Sequence, residues 1–433
     1  MLIPISLAIE AAIFAIASTH FRQRRYNMMT GFFLMWVGIF LVIAWNPLIL
    51  TPMTWSAALI FGVGLTAVLG GSLWAARWIR SRSATYRAIG IVEPPRVLRW
   101  TVGLAVASAG LAIALLTFRD SIVAASGSAS FGQLTAEQVR YYQVYGATLH
   151  AGIGTTLFAL APLIAAGGVV LGHQRRLGYV FTAYAIFMSL QTPSRTEVFF
   201  TVMASLLCWL YYKPVRTSER GTDQHLWRRI AVISFAIICL IGYFQYEGDL
   251  LHKSSPAQLL AGTKVPQALF SPVIYLTGEP EALSAAITEN VNPTDGEHGR
   301  TIWIVPRVLS LLDRQISAPS IVAQPVAIPY PYNTYSWTGD LWLDFGWPGV
   351  VLGGLFIGFG TVLIDERAYR QRSALWSWWG AAWGTIVFSS FIGFEFFWLN
   401  SLIFTVAGLL VFGRPKFVSR SSATPVETRP LSL

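Results

Sequence analysis

Long apolar runs broken by short charged connections dominate this chain. Runs of about 17–25 residues match a helix crossing a hydrocarbon core of about 30 Å. Eleven are expected, over 2–19, 28–46, 53–76, 100–118, 148–172, 177–192, 196–212, 229–246, 339–364, 374–391 and 394–412. Alternating ten-residue strands are absent from the sequence, which argues against an outer-membrane barrel. The expected fold is therefore an all-α polytopic integral membrane protein. The first run, "MLIPISLAIEAAIFAIASTH", lacks a basic leader and carries Glu10 at its centre. It reads as an uncleaved span rather than a signal peptide.

Composition agrees with that pattern. The chain is 54% hydrophobic and 12% charged, with 17 Trp in 433 residues. A net charge of +10 would suit a nucleic-acid partner, but its distribution gives another reason for it. Of 31 Lys and Arg, 23 fall in alternate connections, "HFRQRR", "RWIRSRSATYRAIGIVEPPRVLR", "HQRR", "KPVRTSERGTDQHLWRR" and "DERAYRQR", and in the tail from "RPKF". The positive-inside rule makes that side cytoplasmic, with the N-terminus outside and the C-terminus inside. No nucleic-acid partner is expected. Cys208 and Cys239 fall inside spans and read as small buried hydrophobes, not as a disulfide or metal site.

The remaining eight cations lie on the outer side, and their positions carry the functional reading. "QTPSRTEVFF" (191–200) sits between two short spans. Pro193 ends one helix, Thr192 or Ser194 can cap the next, and Glu197 suits its first turn. Arg195 fits neither the positive-inside rule nor a helix N-terminus. A bound anion would resolve both, because free backbone N–H groups and a guanidinium together cradle phosphate.

Two outer segments are long, 119–147 and 247–338. In the second, "PRVLSLLDRQI" is predicted as a helix opening at Pro306, with Arg307 and Arg314 on one face and Arg300 just upstream. Outer cations are few and gather here. Next, "QPVAIPYPYNTYSWTGDLWLDFGWPG" begins as a stiff extended stretch. Tyr332, Tyr335 and Trp337, with Asn333 and Thr334 between them, combine flat rings and hydrogen-bonding groups suited to sugar. Interfacial anchoring is the alternative reading. Asp340 and Asp344 enter the ninth span on one helix face, Asp344 a turn deeper. Gly346, Gly349, Gly353 and Gly354 would allow close packing there. His150 and His298 are the outer histidines. Glu10 and Glu395 are intramembrane acids without a nameable partner. Metal-site, nucleotide and hydrolase motifs are absent from the sequence, so neither metal nor cofactor is expected.

"SRTEVFF" and "YNTYSWTGDLWLDFGWPGVVLGGLFIGFG", with the span count and late outer loop, resemble the bacterial oligosaccharide repeat-unit polymerases. These are the Wzy-type O-antigen and exopolysaccharide polymerases. The resemblance covers the plan of the chain, with about forty residues carrying sequence detail. It implies a metal-independent glycosyltransferase of the integral-membrane (GT-C-like) type in the bacterial inner membrane. The growing glycan would leave undecaprenyl pyrophosphate for a hydroxyl of the next lipid-linked unit. Lipid-linked oligosaccharide and membrane lipid are the implied partners, with a chain-length regulator protein as a candidate third. Arg195 matches the arginine of the first motif; Asn333, Asp344 and Gly346 match the second.

The residues independently suit the same chemistry. Arg195, Arg300, Arg307 and Arg314 are the candidate pyrophosphate ligands. Asp344, Asp340, His298 and His150 are the candidates for the base at the acceptor. The expected organisation is a bundle over 1–246 with a re-entrant-like turn at 191–197, an outer loop over 247–338, C-terminal helices over 339–413 and a disordered tail over 414–433. The competing functions are an O-antigen ligase, a lipid-linked oligosaccharide flippase and a non-catalytic assembly protein using the long loop to dock.

Overall fold

The computed structural model describes residues 2–20, 27–46, 48, 50–83, 97–144, 157–192, 195–212, 231, 234–246, 265–290, 301–302, 305–306, 309, 326–328, 331–332, 334–371, 373–391, 393 and 399–413. Its helices are α1 Leu2–His20, α2 Met28–Trp45, α3 Trp55–Ser83, α4 Val97–Ser126, α5 Ala136–Val144, α6 Leu160–Gly172 and α7 Gly178–Ser189. They continue with α8 Arg195–Tyr211, α9 Ser234–Tyr246, α10 Gln267–Thr288, α11 Trp337–Gln371, α12 Ala374–Phe388 and α13 Leu399–Phe412. The protein is an all-α membrane protein. Five helices (α1, α2, α3, α4 and α11) are long and apolar enough to cross a bilayer, and shorter apolar helices accompany them.

Local signals set several helix ends. Asn27 caps α2 by accepting from the Thr30 amide at 2.7 Å. Asn46 closes that helix in the left-handed region at φ 44°. The α1–α2 hairpin is then tied by Ser18 and Thr30 hydroxyls at 2.7 Å.

Two cores hold the bundle. In the larger, α2 buries four large rings fully: Trp36 and Phe40 meet Phe61 of α3, Phe33 meets Phe14 of α1, and Phe32 meets Trp337 of α11. The smaller joins α4, α6 and α7 around Leu111, Phe118 and Ile164, with Val139 of α5 packed over it. The described part of the segment 119–147, residues 119–144, is therefore structured. Helix α4 runs eight residues past its expected end at 118, and α5 covers the core beside it. Cross-helix polar contacts supplement packing, as when Thr182 donates to the Ala165 carbonyl and Trp383 to Thr361, each at 2.9 Å.

Helices α3 and α11 pack closely. A methyl group at Gly71 or Gly358 would overlap the Leu355 or Val68 carbonyl respectively, so only glycine permits this approach. Gly354 also faces α3, as expected for a packing glycine. Gly346 does not. It sits at φ 61° and ψ −147°, a conformation reserved for glycine, and breaks α11 in two, with Pro348 just beyond. The kink is sharp. Leu341 packs where Gly353 lacks a side chain, and its carbonyl approaches Gly349, although twelve residues of straight helix would separate Leu341 from Gly353 by about 18 Å.

This changes the expected ninth span. The straight limb over 347–364 is about 27 Å long at 1.5 Å per residue, enough for the hydrocarbon core. It ends at Asp365, Glu366 and Arg367. The short limb over 337–345 folds across its start and carries Asp340 and Asp344. Asp344 is thus not a turn deeper in a continuous span.

The second long segment also holds unexpected structure. Helix α10 packs on the α2–α3 connection, and its Ser284 hydroxyl accepts from the Thr54 amide at 3.2 Å. Val326–Ala327 (β1) pairs antiparallel with Pro331–Tyr332 (β2), so the stretch expected to be merely extended forms a two-residue ladder. Cys208 is buried, whereas Cys239 is exposed on α9, against the expectation that both are buried.

Candidate functional site

Helix ends assigned to the more basic side by loop charge meet one another. Tyr212 accepts from Gln174 at 2.9 Å, and Tyr211 donates to Asp365 at 2.7 Å. Arg370 pairs with Glu366, and Arg367 lies over Trp376 at 5.3 Å. His173 lies 5.7 Å from the Tyr212 ring. Burial holds the His173 pKa below the ordinary imidazole value. These groups form a polar layer at that end of the bundle.

The opposite end brings the two motifs together. Helix α8 opens at Arg195, as the capping pattern suggested, with Glu197 in its first turn. Thr192 does not cap it; its hydroxyl donates back to the Ser189 carbonyl at 2.9 Å. One turn into α8, Phe199 meets Phe391 edge-on at 6.2 Å. Phe391 belongs to the turn after α12, and that turn holds the start of α11. The Trp337 amide donates to the Ser390 carbonyl at 2.9 Å, and Asp340 Oδ2 lies 2.9 Å from where a Gly393 side chain would begin. Residues 389–393 thus bridge the beginnings of α8 and α11.

Asp344 occupies the second turn of the short limb and is 4% exposed. Its Oδ2 accepts from the Thr301 amide at 2.6 Å and the Thr301 hydroxyl at 2.7 Å. Its Oδ1 is buried with no hydrogen-bond partner among the described residues. One oxygen is clamped and the other is left to accept a proton or a hydroxyl hydrogen bond. Asp340 is equally buried on the same helix face.

Two further buried acids were not anticipated, Glu279 and Glu281 of α10. Tyr332 donates to Glu279 at 3.5 Å. Glu281 is 2% exposed, and burial pushes its pKa up to about 9, so it is protonated at neutral pH. The segment falls in the stretch 247–338 that was expected to be loop; it carries Pro272 and Pro280, and its run of buried Ala282, Leu283, Ala285 and Ala286 was the available helix signal.

The aromatic prediction changes character. Tyr335 and Trp337 are fully buried, and Trp337 lies against Phe32 at 6.5 Å. Rings enclosed in this way offer no face to a sugar and serve packing. Tyr332 is 8% exposed, with its ring fitted against Gly278. Thr334 is half-buried. Arg119 is an additional cation at this end of the bundle. It donates to Gln191 at 2.9 Å and stacks over Phe131 at 4.9 Å, beside the turn leading to Arg195.

His150, His298, Arg300, Arg307, Arg314, Asn333 and Glu395 lie outside the described residues, as does the Arg195 side chain. Most of the helix expected from Pro306 lies outside them too, with 305, 306 and 309 helical. Thr301, which clamps Asp344, follows Arg300 directly in the sequence. Among the described residues no group of three His, Cys, Asp or Glu could hold a metal ion. Comparison with protein-family models, characterised proteins and solved structures finds no match for this chain.

Proposed function

We propose that this chain is a polymerase of lipid-pyrophosphate-linked oligosaccharide repeat units, working at the outer face of a bacterial inner membrane. On this reading it has eleven spans, an external N-terminus, a cytoplasmic C-terminus and the integral-membrane glycosyltransferase architecture. The observation that supports it most is the meeting of the two motif-bearing helix starts at one turn, beside a buried carboxylate with one oxygen unbonded.

In the reaction, an acceptor sugar hydroxyl attacks the anomeric carbon of the growing glycan. A carbon–oxygen bond forms there as the bond to the pyrophosphate oxygen breaks. The hydroxyl proton passes to Asp344 Oδ1, and undecaprenyl pyrophosphate leaves with the electron pair. Arg195, with Arg300, Arg307 and Arg314, binds the pyrophosphate and stabilises the charge that grows on it. Free N–H groups at the start of α8 face the same anion. Asp344 accepts the proton because Thr301 fixes its orientation. Asp340, His298 and His150 are the remaining candidates for that step.

Deletion of the gene in its host, complemented by wild type, Arg195→Ala or Asp344→Asn, tests this. Single-unit surface glycan is expected in the deletion and in both variants, with full ladders from the wild type. Unchanged chain lengths in the deletion would overturn the polymerase reading. Near-normal ladders from an inserted variant would remove that residue from its role. Full-length glycan left unattached in the deletion would mark a ligase instead.

A further inference from the structure

Glu10 is not absorbed by the proposed site, and its surroundings point to a second function. A cavity of about 400 Å³ lies between α1 and α3, lined by Ser6, Glu10, Trp55, Leu59, Gly62 and Thr66 among others. Glu10 Oε1 accepts from the Thr66 hydroxyl at 3.1 Å. The other oxygen, Oε2, lies 3.1 Å from where a Gly62 side chain would begin, so the missing side chain makes room for it. Trp55 and Leu59 on the rim are 70% and 58% exposed, and Ile9 and Ile13 beside Glu10 are 56% and 57% exposed. The cavity is therefore a groove open to lipid, not a chamber in the bundle.

Depth follows from helix rise. Glu10 stands eight residues below Leu2, about 12 Å, and Thr66 eleven below Trp55, about 16 Å. Both lie near the middle of a 30 Å core. Ionisable groups at that depth face a bundle interior, a watery cavity or an opposite charge. Glu10 has its oxygen toward an apolar, lipid-facing groove instead. A lipid tail would leave it unpaired. A second copy of this chain would bring no cation either, since no Lys or Arg falls in the interior of any predicted span. On α3 itself the first cation is Arg77, eleven residues beyond Thr66.

We propose that the α1–α3 groove docks a transmembrane helix of another protein, one that carries a lysine or arginine at mid-bilayer depth to pair with Glu10. Small residues on the groove floor, Ala58 and Gly62, allow close approach of a second backbone. The unbonded carboxylate oxygen sets the depth and sign of the partner group. This interaction is independent of the glycan chemistry proposed above.

The test uses the full-length protein in lipid nanodiscs and two synthetic single-span polyleucine peptides. One carries a lysine at the residue matching Glu10 depth; the other has leucine there. Association is read by fluorescence energy transfer. The lysine peptide is expected to bind at least tenfold more tightly than the leucine peptide. That preference should vanish in Glu10→Gln, which keeps the side-chain shape, and binding should weaken in Gly62→Val, which fills the groove while retaining the acid. Equal binding of both peptides to wild type, or an unchanged preference in Glu10→Gln, would overturn the proposal. So would Glu10-dependent self-association without peptide, which would make a second copy the occupant.

Discussion

At the scale of single residues, the layer around the start of α11 combines carboxyl groups of opposite character. Asp344 has a clamped oxygen and an unbonded one, whereas Glu281 is held neutral by burial. Their roles separate under mutation. Asp344→Asn keeps an acceptor for Thr301 but loses the basic oxygen, and a drop in polymerisation rate of about 10²–10⁴-fold is expected without loss of inserted protein. Thr301→Val removes the hydroxyl bond to Asp344 and leaves the amide bond, so a smaller loss, roughly tenfold, should accompany it. Purified enzyme and lipid-linked repeat units, followed by gel, would measure both. Glu281 predicts a pH effect on stability. Its folded pKa of about 9 exceeds the ordinary glutamate value of 4.5, so the folded protein keeps a proton that the unfolded chain releases. The stabilisation is complete below pH 4.5 and is lost as pH rises through about 9. Thermal unfolding in detergent should therefore fall across that window in wild type and fall less in Glu281→Gln. Parallel curves would show that Glu281 ionises normally.

At the scale of elements, the apolar runs alone placed most of the described helices within a few residues, because a bilayer demands runs of that length. Helix α5 and the two-residue ladder escaped, and so did two features that shape the site. Helix α10 is interrupted by Pro272 and Pro280 and lies in a segment whose arginines drew the functional reading. Packing against α2 and α3 holds it helical where local propensity does not. The break in α11 was written in "FGWPG", yet Gly-x-x-Gly spacing in an apolar helix also reads as packing. Only φ and ψ at Gly346 separate the two. The site was legible in the same uneven way. Arg195 and Asp344 could be picked out as charges where charge is costly, whereas Thr301 could not, since its part depends on a contact 43 residues away in sequence. Gly346→Ala forces a side chain into a glycine-only conformation and should cost on the order of 1–3 kcal/mol. Gly358→Leu presses on the Val68 carbonyl and should cost a similar amount, about 1–3 kcal/mol. The two differ in readout. Gly346→Ala moves the limb carrying Asp344 and should reduce activity in the surviving folded fraction, while Gly358→Leu should lower the melting temperature with activity per folded molecule retained.

At the scale of the whole molecule, the charge asymmetry and the contacts between helix ends can be read together. Gln174 with Tyr212 and Tyr211 with Asp365 join ends that the basic connections assign to one face. Thr54 with Ser284, Trp337 with Ser390 and Arg119 with Gln191 join ends assigned to the other. A single crossing omitted or added between α3 and α11 would bring unlike ends together somewhere in that set. Sidedness then rests on the 23 of 31 cations gathered at one face. The expected outcome is a clean division under a membrane-impermeant maleimide. In a background with Cys208→Ala and Cys239→Ser, cysteines placed at Ala129 and Asn290 should label in intact spheroplasts. Those at Ser81 and Arg175 should label only after permeabilisation. Asn290 is the most informative position, because it follows α10 and so reports on the layer holding Glu279 and Glu281. Labelling of Ser81→Cys or Arg175→Cys in intact cells would invert the molecule. The Asp344 layer would then face the cytoplasm, where lipid-linked units are not polymerised on this reading, and the proposed reaction would have to be abandoned with the orientation.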